Sequence, residues 1–128
     1  MVSPQGREHY QRLCEGRPFG SDGFDLAALR QCMAIRREPA DPAVRCIPTR
    51  IDQTPCQWVL APNADPDLRL LYLHGGGYVS GSGDFYLAMA AHISAAAGCA
   101  ILLPDYRLAP EHPFPAGLDD CIQAHRWL

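Results

Sequence analysis

Residues 69–78 have the sequence Arg-Leu-Leu-Tyr-Leu-His-Gly-Gly-Gly-Tyr, and this stretch decides the fold class. Its first five residues are a short, nearly continuous apolar run, which is typical of a strand buried on both faces of a sheet. Three consecutive glycines follow directly. Because glycine has no Cβ, such a cluster favours a tight turn whose backbone N–H groups stay uncovered. The stretch therefore predicts a buried strand at 69–73 that ends in a glycine turn.

The residues after this turn predict a helix, a second buried strand and a last helix. Residues of the first helix recur at 3.6-residue spacing, with Asp84 at a capping position and Gly98 just past the end. They are Phe85, Ala88, Met89, His92, Ile93 and Ala96. Residues 99–103 form the strand, and the last helix starts near Pro115. Alternating strands and helices favour an α/β fold, in which a parallel sheet carries helices on its faces.

The first 60 residues predict helices followed by a β-hairpin. Two short amphipathic helices are expected near residues 4–15 and 25–37, separated by the breaker run 16–23. Residues 44–51 and 57–60 have the composition of strands, and residues 52–55 form a plausible hairpin turn between them. We expect this pair of strands to be antiparallel.

Composition and charge exclude several classes of function. The 128 residues are 48% hydrophobic with a net charge of −3, and the arginines are scattered, so we expect one globular domain that binds neither nucleic acid nor an anionic membrane. The six cysteines include no C-x-x-C pair and no zinc spacing, so we expect no metal or cofactor. No apolar leader occurs in the first twenty residues, which predicts a cytoplasmic protein.

One stretch has nearly the length of a membrane span, because residues 85–104 contain no charged side chain. The stretch also contains His92 and Ser94 and is interrupted by Gly98. We therefore expect a helix and a strand here, and no membrane span.

The glycine cluster has three chemical interpretations. A dinucleotide fingerprint would need a third glycine where Ser80 stands, and a phosphate-binding P-loop would need lysine where Ser82 stands. The remaining functional interpretation is an oxyanion hole made of backbone N–H groups. The alternative without function is a flexible loop between a strand and a helix.

Two long motifs give this sequence a family resemblance. Residues 71–78, Leu-Tyr-Leu-His-Gly-Gly-Gly-Tyr, are followed by Gly81-Ser82, and residues 105–111 read Asp-Tyr-Arg-Leu-Ala-Pro-Glu, followed by Phe114-Pro115-Ala116. Together they resemble the hormone-sensitive-lipase-like family of α/β-hydrolases. The resemblance implies cap-like helices in residues 1–43 and the N-terminal portion of a hydrolase domain in residues 44–128. That portion holds the first four strands of the sheet, an antiparallel first pair and then parallel strands, flanked by helices. In the family the third strand lies between the fourth and the fifth, so strand 69–73 would form an unpaired edge.

The resemblance also implies roles for individual residues. The amides of Gly76 and Gly77 would form the oxyanion hole and Gly75 would shape the turn. His74 would brace the loop, although a catalytic base is the more tempting interpretation. Tyr78 is a candidate for lining the acyl or alcohol pocket, with packing as the alternative.

Charged residues of the second motif have a structural interpretation. We expect Arg107 and Glu111 to join an ion-pair and hydrogen-bond network that fixes the loop after the strand. Asp119 and Asp120 would serve the start of the last helix or the same network.

The nucleophile of the family is absent from these residues. It is the serine of a G-x-S-x-G motif, and none of Ser3, Ser21, Ser80, Ser82 and Ser94 has glycines at the required offsets. We therefore expect the 128-residue chain to be inactive by itself, as a cut or interrupted reading frame would be.

Three functions stay open at this stage. The first is a serine ester hydrolase that acts on a small-molecule ester. The second is a non-catalytic small-molecule-binding protein on the same scaffold, since the plant gibberellin receptors are similar to this family. The third is an inactive truncated remnant. The sequence leaves the oligomeric state undetermined.

Overall fold

The computed structural model describes residues 19–20 and 23–128, which contain three helices and six strands. In chain order they are β1 (Phe19–Gly20), β2 (Gly23–Phe24), α1 (Leu26–Met33), β3 (Arg45–Ile51), β4 (Thr54–Leu60), β5 (Asp65–Leu71), α2 (Gly83–Ala97), β6 (Cys99–Pro104) and α3 (Ala116–Trp127). Strands β1 and β2 pair with each other as a separate two-stranded ribbon. The helix predicted near residues 4–15 lies outside the described residues.

Helix α1 is shorter than the sequence predicts. It starts after Asp25, whose side chain accepts a hydrogen bond from the backbone N–H of Ala28 at 2.9 Å. It ends at Met33, four residues before the predicted end at Arg37. The residues after Met33 bond to a distant segment instead of continuing the helix: the backbone N–H of Arg37 donates to the carbonyl of Asp84 at 3.0 Å.

The predicted hairpin is confirmed, with a tighter turn than expected. Strands β3 and β4 are antiparallel in continuous register from Arg45 opposite Leu60 to Ile51 opposite Thr54. Only Asp52 and Gln53 connect them, and Asp52 takes a φ of 50°. Strand β4 therefore begins three residues before the predicted Gln57.

Four strands form the main sheet in the order β3-β4-β6-β5. Strand β6 is antiparallel to β4 and parallel to β5. The third strand of this sheet is thus at its edge, beyond the fourth, as the family resemblance implies. Helix α2 connects β5 to β6, so the strand–helix–strand unit predicted around the glycine turn is confirmed.

Strand β5 is not buried on both faces, and this part of the prediction was wrong. The strand runs Asp65–Leu71, so it begins four residues and ends two residues before the predicted 69–73. None of residues 69–73 is buried, whereas all six residues of β6 are. The reason is the place of β5 at the edge of the sheet, where it has a neighbour on one side only. Pairing with β6 is also irregular: Asp65 pairs with Cys99, and regular pairing resumes only at Arg69 opposite Ala100.

Helix α2 begins and ends on local signals. The side chain of Ser82, not of Asp84, caps its N-terminus by accepting a hydrogen bond from the N–H of Phe85 at 3.3 Å. Asp84 instead lies in the first turn, where its charge is favourable. Gly98 ends the helix in the left-handed conformation, with its N–H bonded to the carbonyl of Ser94.

The face of α2 that packs on the sheet is not the face marked by the 3.6-residue spacing. Leu87, Ala90, Ala91 and Ser94 are buried, whereas Met89 is 50% exposed. The residues that predicted the helix lie on its outer side, along a groove of about 600 Å³ that Arg37 also lines. Because this helix is apolar on both sides, the sequence pattern shows the helix but not its orientation.

The core has two halves, one on each face of the sheet. Ile101 and Leu103 of β6 pack with Leu87, Ala90 and Ala91 of α2, and Leu102 packs on the other face with Ala124 of α3. This alternation follows the two-residue period of a strand. Burying each Leu or Ile side chain stabilises the fold by about 1.5–3 kcal/mol.

The stretch at 85–104 that has nearly the length of a membrane span divides between α2 and β6. Across the described part of the chain, no helix combines the length and the apolar character that a bilayer span requires.

Candidate active site at the glycine turn

The two sequence motifs meet in space at the carboxyl ends of β5 and β6. Residues 74–78 follow β5, and residues 105–111 follow β6. The hydroxyl of Tyr106 donates to the carbonyl of His74 at 2.6 Å, and the N–H of Ala109 donates to the carbonyl of Tyr78 at 2.9 Å. Ligands of open α/β sheets usually bind at this edge of the sheet, so the position favours a functional site.

The glycine turn is fixed by the carbonyl of Gly76. This oxygen accepts hydrogen bonds from the N–H of Val79 at 3.2 Å, the N–H of Ser80 at 3.1 Å and the hydroxyl of Ser80 at 2.8 Å. Gly76 and Gly77 take φ values of 136° and 63°. A Cβ on Gly76 would stand 2.0 Å from the carbonyl oxygen of Ser80, so the turn requires glycine there.

The amides of Gly76 and Gly77 point out of the turn. In a trans peptide unit, the C=O group and the following N–H group point in opposite directions. The carbonyl of Gly76 points into the turn, so the N–H of Gly77 points outward. The carbonyl of Gly75 lies 3.0 Å from Nδ1 of His74, so the N–H of Gly76 points away from the imidazole. Among the described residues, neither N–H has a hydrogen-bond acceptor.

Gly75 is packed differently from the two glycines that follow it. A Cβ on Gly75 would lie 3.0 Å from the hydroxyl oxygen of Tyr86, so a side chain here would push against the helix. Gly81 closes the other end of the turn, where a Cβ would lie 2.4 Å from the carbonyl oxygen of Gly75. Backbone therefore packs directly on backbone at Gly76 and at Gly81.

His74 is buried and is held on several sides. Its side chain is 4% exposed, its ring stacks on Tyr106 with centroids 4.2 Å apart, and Nδ1 contacts the carbonyl of Gly75. Burial lowers its pKa, so the ring is neutral near pH 7 and the contact requires the proton on Nδ1. Nε2 has no hydrogen-bond partner among the described residues. These contacts tie the start of the turn to the loop after β6.

Arg107 and Glu111 are not partners of each other, which corrects the single network predicted from the sequence. Arg107 binds Asp120 of α3 through its backbone N–H at 2.9 Å, Nε at 2.9 Å and Nη2 at 2.8 Å. Burial raises the pKa of Asp120, but these bonds outweigh it and the net pKa is lowered. Glu111 instead pairs with Arg30 of α1. Of the two roles expected for Asp120, the start of the last helix or the network around Arg107, the structure shows the network.

Asp105 joins the end of β6 to the start of α2. Its Oδ1 accepts a hydrogen bond from the N–H of Gly83, the first residue of the helix. Burial raises the pKa of this carboxyl, and the bond from Gly83 opposes that rise. The contact closes the loop that carries the glycine turn, because residues 72–82 run from the end of β5 to this point.

Tyr78 has a positive φ of 63° and a side chain that is 73% exposed. It lines an apolar cavity of about 400 Å³ together with Ala109, Phe114 and Leu118. A non-glycine residue in the left-handed region carries backbone strain, which occurs often at functional sites. The cavity opens beside the glycine turn.

Comparison with known proteins gives this site a family. Residues 70–128 match the family model described as alpha/beta hydrolase fold. Solved structures match almost the whole chain: the crystal structure of EstE5 soaked with p-nitrophenyl butyrate superposes with a TM-score of 0.86 at 37% identity, covering 98% of this chain and 43% of that chain. An esterase from the bacterial hormone-sensitive lipase family gives a TM-score of 0.80 at 37% identity, covering 100% of this chain and 43% of its own.

The chain belongs to the α/β-hydrolase fold family and is similar to esterases of the hormone-sensitive-lipase-like family. Esterase LipI of Mycobacterium tuberculosis is 35% identical over 118 residues, which are 84% of this chain and 35% of LipI. Ethyl acetate hydrolase of Pseudomonas putida is 46% identical over 70 residues, 52% of this chain and 22% of that enzyme. The chain thus spans about a third or less of these two relatives.

One residue of the candidate site, Arg30, was missed by sequence reasoning. Arg30 lies 44 residues before His74 and binds both loops of the site. Its helix was predicted, but nothing in the pattern of α1 distinguishes Arg30 from the neighbouring arginines at 36 and 37. Arg30 could be identified only from its contacts with Val79 and Ala109, which lie 49 and 79 positions away in the sequence.

Proposed function

We propose that residues 74–78 are the oxyanion-hole segment of a carboxylic ester hydrolase. The N–H groups of Gly76 and Gly77 are the donors, His74 and Gly75 brace them, and Tyr78 lines the substrate site. The observation that carries the proposal is that, among the described residues, these two neighbouring N–H groups have no acceptor and lie at the ligand-binding edge of the sheet. The carbonyls of Gly75 and Gly76 are held on the inner side, which by peptide geometry turns both N–H groups outward.

The reaction that such a segment serves is acyl transfer. The two N–H groups polarise the ester carbonyl and stabilise the negative oxygen that forms when a serine attacks it. A histidine takes the serine proton and returns it to the leaving alcohol. Each donor contributes about 3–4 kcal/mol to the transition state. Names such as ethyl acetate hydrolase and carboxylesterase among the relatives support short acyl esters as substrates.

The nucleophile of this reaction would come from outside the 128 residues. The serines of the described part have other partners: Ser80 donates to the carbonyl of Gly76, Ser82 caps α2, and buried Ser94 donates to the carbonyl of Cys99 at 2.7 Å. Ser3 and Ser21 lie outside the described residues. We therefore expect no turnover by the chain alone.

A chimera tests the proposal directly. The match to EstE5 covers 98% of this chain and 43% of EstE5. In the chimera, residues 1–128 replace that matched part and are joined to the rest of EstE5. We expect the chimera to hydrolyse p-nitrophenyl butyrate and the separate 128-residue chain to release no p-nitrophenol above buffer.

Replacing Gly77 by glycolic acid then isolates one donor, because it exchanges the N–H for an oxygen and keeps the backbone length. We expect kcat to fall by about 10²–10³ with little change in KM. Gly77→Ala is the matched control: it keeps the N–H, its Cβ would meet only Val79 at 4.0 Å, and its backbone strain at a φ of 63° shows how much a loss of stability alone lowers kcat. A folded chimera that is inactive, or one that keeps its kcat with glycolic acid at position 77, would contradict the proposal.

A further inference from the structure

Arg30 connects three segments that are far apart in the sequence. It lies in the last turn of α1 and uses four of its five N–H groups. Nε donates to the carbonyl of Val79 at 2.8 Å, and Nη2 donates to the carbonyl of Ala109 at 2.9 Å. The other two N–H groups bind both carboxylate oxygens of Glu111, at 2.7 and 2.6 Å.

The two carbonyls that Arg30 binds belong to residues that hold the glycine turn with their N–H groups. Val79 donates to the carbonyl of Gly76, and Ala109 donates to the carbonyl of Tyr78. A displacement of either residue would therefore turn the peptide units next to Gly77. Arg30 itself contacts neither glycine.

Glu111 fixes the direction of the guanidinium group. The bidentate pair aligns the planar group, so that its remaining N–H groups face the two carbonyls. The bond from Arg30 lowers the pKa of Glu111 to about 2, so the carboxylate stays charged over the usual pH range. An ion pair this exposed adds little stability by itself, which leaves orientation as its main effect.

A second contact joins the same helix to the same loop. Met33 lies three residues after Arg30, on the same face of α1. Its sulfur lies 3.3 Å from the hydroxyl oxygen of Ser80, whose proton goes to the carbonyl of Gly76, and its own carbonyl accepts a hydrogen bond from the hydroxyl of Ser82 at 3.4 Å. Helix α1 is thus attached to both ends of the segment 79–82.

We propose that Arg30 is a positioning residue, which makes the direction of the Gly76 and Gly77 amides depend on the docking of α1. The inference rests on the proposed oxyanion hole for its functional meaning. The α1 segment then acts on the site at a distance: when it leaves the loop, the turn loses the bonds that orient its donors.

Amide hydrogen exchange in the 128-residue chain, measured by NMR, tests the coupling. We expect Arg30→Gln to raise the exchange of the Val79 and Ser80 amides by roughly 10- to 100-fold, the range for losing bonds to a charged group. The ¹H–¹⁵N signals of Gly76 and Gly77 should shift as well, and the amide of Leu102 in β6 should keep its exchange rate. A role in global stability alone would raise all these rates together and leave the two glycine signals in place.

Three further variants complete the test. Arg36→Gln is the matched control, because Arg36 pairs with Glu38 and Asp84 and should leave Val79 and Ser80 unchanged. Arg30→Lys keeps the charge without the planar fork, so we expect it to behave like Arg30→Gln. Glu111→Gln leaves α1 untouched and should raise the same exchange rates by a smaller factor. Wild-type exchange in Arg30→Gln and Glu111→Gln, or full rescue by lysine, would overturn the inference. None of these readouts requires ester turnover, so this failure and that of the proposed function are distinguishable.

Discussion

Replacing Gly76 by alanine should destabilise the protein far more than the same change one residue later. A Cβ on Gly76 would stand 2.0 Å from the carbonyl oxygen of Ser80, at a φ of 136° that L-residues rarely adopt. A Cβ on Gly77 would meet only Val79, at 4.0 Å, and its φ of 63° lies in the ordinary left-handed region. The two positions therefore differ mainly in steric overlap.

The expected magnitudes follow from these contacts. Gly77→Ala should cost about 1–2 kcal/mol, the usual penalty of a left-handed residue. For Gly76→Ala, the backbone strain itself should cost about 1–3 kcal/mol. The substitution also forces Ser80 away from the carbonyl of Gly76, which endangers three hydrogen bonds of about 0.5–1.5 kcal/mol each. The total, about 2.5–7.5 kcal/mol, is a large part of the stability of a domain, which is about 5–15 kcal/mol.

Urea unfolding at low protein concentration measures this difference. Trp58 and Trp127, with ring centroids 6.1 Å apart, report the contact between β4 and α3 by fluorescence. We expect the unfolding midpoint of Gly76→Ala to lie clearly below that of Gly77→Ala. Equal midpoints for the two variants would refute the reasoning, because they would mean that the turn accepts a side chain at position 76 without rearrangement.

Three further predictions test other parts of the structure. Ser94→Ala should cost about 1–3 kcal/mol in urea unfolding, because the buried N–H of Ala61 loses its acceptor at 2.9 Å; Ala95→Ser, on the exposed side of α2, is the control. Asp120→Asn should destabilise the protein at pH 7 and progressively less below about pH 4, since a lowered folded pKa gives stability that is present above the unfolded pKa of about 3.9 and is lost as the pH falls. Equal costs at pH 7 and pH 2 would contradict it. Leu73→Lys, in the exposed segment that follows the edge strand β5, and Met89→Lys, on the outer face of α2, should reduce aggregation and the binding of an apolar-surface dye. Ile35→Lys should not, because the exposed Ile35 lies in the segment after α1, away from both surfaces. A monodisperse wild-type monomer that binds no dye would argue against this prediction.

The hydrolase fold was predictable because its signals are local. The apolar run before the glycines, the stop at Gly98 and the hairpin turn at Asp52 each depend on residues that are neighbours in sequence. The same holds for Gly76, whose need for a positive φ arises within five residues of chain.

The predictions were wrong where one sequence pattern is compatible with more than one packing arrangement. Helix α2 is apolar on both sides, so its spacing could not tell the inner face at Leu87 from the outer face at Met89. The apolar run 69–73 resembles a central strand, yet the strand that contains its first half, β5, lies beyond β6 at the edge of the sheet and is largely exposed. Arg107 could be assigned to a network, but its partner Asp120 was one of several carboxylates within reach in sequence.

The sequence by itself determined that a strand ends in a glycine turn and that Gly76 and Gly77 carry no side chains over their amides, because these properties belong to a few consecutive residues. The tertiary structure alone decided which way those amides point and what holds them. Arg30 reaches Val79 across 49 positions and Glu111 across 81, and such contacts depend on how distant segments pack, which no local pattern encodes.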